Sequence, residues 1–153
     1  MRWHYRDPQL VWLLPGAYAA HLLEEWFGGF PEWVGTVVGS PLPRSAFLAI
    51  NAVAFLLLLI AVRQTTRREE SGWMAIAMAT ILGVNGVGHV LGTLATRSYS
   101  PCLITGVVLY LPLAKLLLMR AWLQARRETW RLGVLSGLVI HALVIVVAYS
   151  MTS

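Results

Sequence analysis

His21, Glu24 and Glu25 form a His-x-x-Glu-Glu pattern inside AAHLLEEWF, at the far end of an apolar run. Imidazole nitrogens and carboxylate oxygens are ordinary ligands of zinc and of non-haem iron. In helical zinc motifs, residues at i and i+4 reach one ion, and a glutamate beside one of them serves as base. The inverted motif reads His-x-x-Glu-His, and exchanging its last histidine for glutamate gives the pattern seen here. On that basis His21 and Glu25 are expected to be metal ligands and Glu24 the catalytic base. On a helix the three fall within an arc of about 100°, with Leu22 and Leu23 pointing elsewhere.

A second polar set lies downstream. Asn85 and His89 are four residues apart and share a helix face, with Gly92 on that face and Gly88 alongside. The two glycines predict the close approach of a neighbouring helix. His89 is expected to complete the ligand shell. His141 is a further ligand candidate, although with no polar partner within a turn it serves equally well as a helix-to-helix hydrogen-bonding residue. Asn51 and Asn85 are expected as supporting polar residues. The ion expected is zinc, with iron as the other candidate. Zinc with a free position lowers the pKa of bound water to about 7. Thr105 and Tyr110 read as packing residues, and Lys115 as a snorkelling one.

These groups need elements to position them. The chain is 58% hydrophobic and only 12% charged, against about 45–50% and about 25% in soluble domains. Lipid is the solvent this composition suits. The net charge of +5 does not signal nucleic acid, because the arginines fall in short clusters between apolar runs, as topology determinants do. The single cysteine, Cys102, excludes an intrachain disulfide and a Cys-rich metal site. Five apolar runs, at about 9–27, 45–62, 73–96, 101–123 and 132–151, are each near the ~20 residues that span hydrocarbon as a helix. The expected fold is an all-α polytopic transmembrane bundle of five spans, one membrane domain over 1–153.

Charge sets the expected orientation. Arg2 and Arg6, then Arg63, Arg67 and Arg68, then Arg120, Arg126, Arg127 and Arg131 fall on one side if there are five spans, with Arg44 and Arg97 on the other. The N-terminus is then cytoplasmic. Trp73, Trp122 and Trp130 would mark the inner interface, and Trp26 and Trp33 the outer. Ala17-Tyr18-Ala19 has the form of a signal-peptide cleavage site, but Pro15 breaks a short apolar core, so the segment is read as retained. In this orientation His21, Glu24, Glu25, Asn51, Asn85, His89 and His141 all lie between the midplane and the outer surface. Charged groups in a span cost roughly 2.5–3.5 kcal/mol each on insertion scales, so such a set faces protein rather than lipid. The apolar Gly- and Pro-rich stretch 28–43 is either a lid at the outer interface or a plain connector.

The same residues resemble a family of small bacterial membrane proteins named for the His-x-x-Glu-Glu motif. HLLEE at His21 to Glu25 matches the naming motif, and NGVGH at Asn85 to His89 is similar to the family's Asn-x-x-x-His. YSPC at Tyr99 to Cys102 resembles a family Tyr-x-Pro-Gly, with Cys102 in place of glycine. The resemblance implies a multi-pass protein of the inner membrane and supports treating His21, Glu24, Glu25, Asn85 and His89 as one set. It implies no activity, since the family's function is unknown.

Three functions compete. The leading expectation is a metal-dependent membrane enzyme, a hydrolase acting on a lipid-phase or interfacial substrate, with 28–43 gating access. A metal-free form would use a glutamate to activate water, in the manner of intramembrane prenyl proteases. The second is a proton-coupled carrier using His and Glu as a relay, which in so short a chain would need homo-oligomers. The third is a non-catalytic subunit whose polar cluster holds helices together. The expected partners are the lipid bilayer and a lipophilic substrate, with a homo-oligomer left open.

Overall fold

The structure is a computed structural model that describes residues 8–152; Arg2 and Arg6 lie outside the described residues. These residues form helices and connecting turns, with no strand among them. In chain order the helices are α1 (Pro8–Val11), α2 (Leu13–Gly28), α3 (Phe30–Val38), α4 (Arg44–Arg67), α5 (Gly72–Thr96), α6 (Leu103–Gln124) and α7 (Arg127–Ser150). A 3₁₀ turn, Glu69–Ser71, joins α4 to α5.

Among the described residues, four helices are long and apolar enough to cross a membrane: α4, α5, α6 and α7. The chain is an integral membrane protein on that ground. The first expected span, 9–27, is not among the four. It is divided at Trp12, and the piece that follows has 16 residues, or about 24 Å of helix against about 30 Å of hydrocarbon. Pro15 explains the division. It has no N–H to offer the Val11 carbonyl, and its ring crowds that carbonyl. Elsewhere the helices outrun the apolar stretches. α4 continues to Arg67 and α7 begins at Arg127, because arginine and glutamine are good helix formers once the chain has left hydrocarbon.

α5 is the central helix, packed on α4, α6 and α7. Its seam with α7 is set by two glycines. A Cβ at Gly133 would fall 2.5 Å from the Ile76 Cβ, and one at Gly137 would fall 2.6 Å from the Ala77 carbonyl oxygen. The close helix approach expected at Gly88 and Gly92 is therefore made here instead. Gly88 faces open space, and the surface of Gly92 receives the Trp33 indole of α3, 2.7 Å from where a Cβ would stand. The buried core gathers Leu14, Leu58, Val62, Ala79, Leu82 and Leu117 around Tyr110. Tyr110 ends a π-helical turn, Gly106–Tyr110. Pro112 follows at once, and its missing N–H removes an α-type bond to the Val108 carbonyl. Single π turns of this kind recur at functional sites.

Candidate metal centre

The C-terminal halves of α2 and α5 and the turn entering α6 meet at one end of the bundle. They bring together His21, Glu25, His89 and Cys102, whose candidate ligand atoms all lie within 4.8 Å of one another. The site is closed off: His21 is 3% exposed, Glu25 6%, His89 5% and Cys102 0%. The Glu25 Oε1 stands 3.8 Å from His21 Nε2 and 3.9 Å from His89 Nε2. Ligand atoms 2.0–2.3 Å from a tetrahedral ion would be about 3.3–3.7 Å apart. These two edges exceed that by a few tenths of an ångström, and the widest separation in the cluster, up to 4.8 Å, exceeds it by about 1 Å, so binding an ion would draw the four side chains together.

Both imidazoles are oriented the same way. His21 Nδ1 is 2.8 Å from the Thr105 hydroxyl, and His89 Nδ1 is 3.0 Å from the Ser100 hydroxyl. Each hydroxyl can accept the Nδ1 proton, which leaves the Nε2 lone pair facing Glu25. Metal-binding histidines are fixed by this kind of partner on the second nitrogen. His21 Nε2 is buried with no hydrogen-bond partner. The His21 ring stacks on Tyr110, centroids 4.0 Å apart, and meets the His89 ring edge-on at 5.0 Å. Buried polar groups without partners are uncommon and call for an explanation.

Glu24 has a different environment. Its carboxylate accepts the Tyr99 hydroxyl and the backbone N–H groups of Ile104 and Thr105, at 3.1 and 2.8 Å for the two amides. These amides open α6, where a helix has unsatisfied donors and a positive dipole end. Glu24 thus caps a helix 80 residues further along the chain and is not one of the four clustered residues. Glu24→Ala should cost about 0.5–2 kcal/mol, as loss of a helix cap does, measured as a lower melting temperature in detergent with metal content unchanged. An E24A protein that melts like wild type yet loses its activity would return the catalytic role to Glu24.

The other expected residues are placed as follows. His141 on α7 is not one of the four clustered residues. Asn51 joins α2 to α4: it accepts the Tyr18 hydroxyl at 2.6 Å and donates to the Phe47 carbonyl at 3.0 Å. Asn85 lies one turn below His89, with its Oδ1 buried and unpartnered. Cys102, Ser100, Thr105 and Tyr110 join the site although the sequence reading gave them no part in it. The one signal for Cys102 was its place where the resemblance expects glycine. Its φ of 75° lies in the left-handed region, which costs a non-glycine residue roughly 1–3 kcal/mol.

The 28–43 stretch forms a cover. Gly29, at φ 74°, ends α2 and turns the chain into α3. Phe30 rests on His89 at 5.6 Å and Trp33 on Gly92. The far end is fastened where the Leu42 N–H meets the Pro31 carbonyl at 2.9 Å and Arg44 donates to Glu32 at 2.7 and 2.9 Å. Those hydrogen bonds hold the exposed Glu32 carboxyl below the usual carboxylate range. Arg44 also lies over the Trp26 ring.

Helices fit to cross a membrane and a buried imidazole–carboxylate–thiol cluster define the class: an integral membrane protein with a candidate metal centre. Residues 12–117 match the model of a family of unknown function with an HXXEE motif. The chain belongs to that family, and the naming motif is the His21–Glu25 segment that builds the cluster. No curated protein and no solved structure matches it.

Proposed function

We propose that this protein is a zinc-dependent enzyme of the inner membrane, a hydrolase acting on a lipid-phase or interfacial substrate. The observation that carries the reading is the shared orientation of His21 and His89. Each ring has its Nδ1 on a hydroxyl and turns its Nε2 to one buried carboxylate. Glu25 lies 3.8 and 3.9 Å from these two imidazole nitrogens, beyond hydrogen-bond reach, and a buried carboxylate so placed calls for a cation. Zinc would supply a water whose pKa is near 7.

The surroundings support a lipophilic substrate. A shallow apolar groove of about 430 Å³ opens toward lipid between α5 and α6, lined in part by Val90, Leu94, Ile104 and Val107. It borders the site through Thr93, whose hydroxyl accepts the Ser100 N–H at 3.1 Å. α3 is the gate on the opposite approach. The fold is read as one membrane domain with five spans and a cytoplasmic N-terminus: α1 and α2 together cover residues 8–28, about 31 Å of helix. A cluster serving only to hold helices together accounts for Glu24 but leaves the Glu25 carboxylate without a purpose.

Protein purified in mild detergent should hydrolyse members of a panel of long-chain esters and amides in mixed micelles. Turnover should stop with a chelator, return with zinc, and be absent from Glu25→Gln. Turnover that survives chelation would mean a metal-free glutamate base, and zinc-loaded protein inert on the whole panel would count against hydrolysis.

A further inference from the structure

We propose that Cys102 is the third protein ligand of this centre, and that its thiolate leaves Glu25 free to act as the base. The inference rests on the metal reading above and assigns the roles within it. Glu24 is taken up by three donors, so one carboxylate remains for the site. If Glu25 bound the ion, no base would be left beside it. Cys102 resolves this. Its Sγ belongs to the cluster, within 4.8 Å of the other ligand atoms, and the residue is fully buried. The unpartnered Nε2 of His21, itself 3% exposed, lies in the same cluster. The side chain is also held at a backbone position that suits glycine, with φ 75°, and strain of this kind clusters at working sites.

Two imidazoles, one thiolate and one open position make a three-ligand catalytic zinc site. A thiolate also selects zinc or cobalt over magnesium and calcium. The proton balance is simple. The Cys102 thiol now donates to the His21 carbonyl at 2.9 Å. Were a metal held here, Cys102 would bind as the thiolate, its S–H proton leaving with the hydration water of the incoming ion. The imidazoles need lose no proton when each carries its own on Nδ1, facing the Thr105 and Ser100 hydroxyls. Glu25, 3.8 and 3.9 Å from the two imidazole nitrogens, would then be the group to take a proton from attacking water.

Cobalt(II) titration of the detergent-purified full-length protein, followed by absorption, tests the assignment. Wild type should show a near-ultraviolet thiolate-to-cobalt charge-transfer band together with tetrahedral visible bands. Cys102→Gly, whose glycine suits the backbone and so preserves the fold, should lose the charge-transfer band and bind cobalt at least about 10–100-fold more weakly. Glu25→Gln should keep the band and the cobalt. A wild type that binds cobalt stoichiometrically without the band, or a band undiminished in C102G, would overturn the thiolate while leaving the metal reading intact. Loss of cobalt in E25Q would overturn the base assignment. No cobalt bound by wild type at all would overturn both the inference and the metal reading.

Discussion

A chelator should lower the melting temperature of the detergent-purified protein by roughly 5–10 °C, and added zinc should restore it. An ion present at 100 times its dissociation constant stabilises the folded state by about 2.7 kcal/mol. For a chain of about this length, each kcal/mol moves the midpoint by about 2–4 °C. The expectation comes from the burial of the cluster's side chains. Glu25 is buried between two imidazoles at 3.8 and 3.9 Å, and His21 Nε2 has no partner. An ion relieves both. His21→Ala and His89→Ala should melt at the same temperature with or without zinc, which differential scanning fluorimetry would show. An equal shift in H21A would mean that zinc acts elsewhere on the protein.

Gly137→Leu should destabilise the bundle by about 1–3 kcal/mol or more, the usual range for overpacking, and leave the metal centre intact. The only buried residues of α7 are Gly133 and Gly137. At Gly137 any side chain meets the Ala77 carbonyl oxygen at 2.6 Å and the Thr80 Cβ at 2.7 Å. Neither backbone nor a β-branched neighbour on a central helix can yield cheaply, so α7 must move outward. G137L should therefore melt several degrees lower while its zinc content per folded chain stays that of wild type. His141→Ala, on the same helix, should also keep its zinc. Zinc lost from H141A would bring α7 into the ligand shell, as the sequence alone had left open.

How legible the site was follows from what each residue's role depends on. The convergence of His21, Glu25 and His89 could be read from the chain, because a polar side chain in an apolar span must face protein and helical spacing fixes its direction. Cys102, Ser100 and Thr105 could not be read in the same way. Ser100 and Cys102 belong to the turn before α6 and Thr105 to its first turn, and their partners lie across tertiary contacts: His21 and Thr105 are 84 positions apart. Glu24 shows the reverse case, a residue whose tertiary partners sequence neighbours do not reveal. Its neighbours in sequence suggest a zinc-motif base, yet the start of α6 docks against it and makes it a cap. The first expected span is not among the four long apolar helices, because a break in hydrogen bonding at Pro15 divides a run that hydropathy reads as continuous. The glycine pair expected at Gly88 and Gly92, beside His89, has its counterpart at the tight seam on α7, at Gly133 and Gly137, where Val134, Leu135 and Ser136 between them carry no motif.

The most direct test of the central claim is metal content by mass spectrometry on gently purified wild type, H21A and H89A. The expected result is close to one zinc ion per wild-type chain and almost none in either variant, each of which should still elute as a folded species. Wild type purified without chelator and holding no zinc or iron, or variants holding as much as wild type, would contradict a metal centre built on His21 and His89.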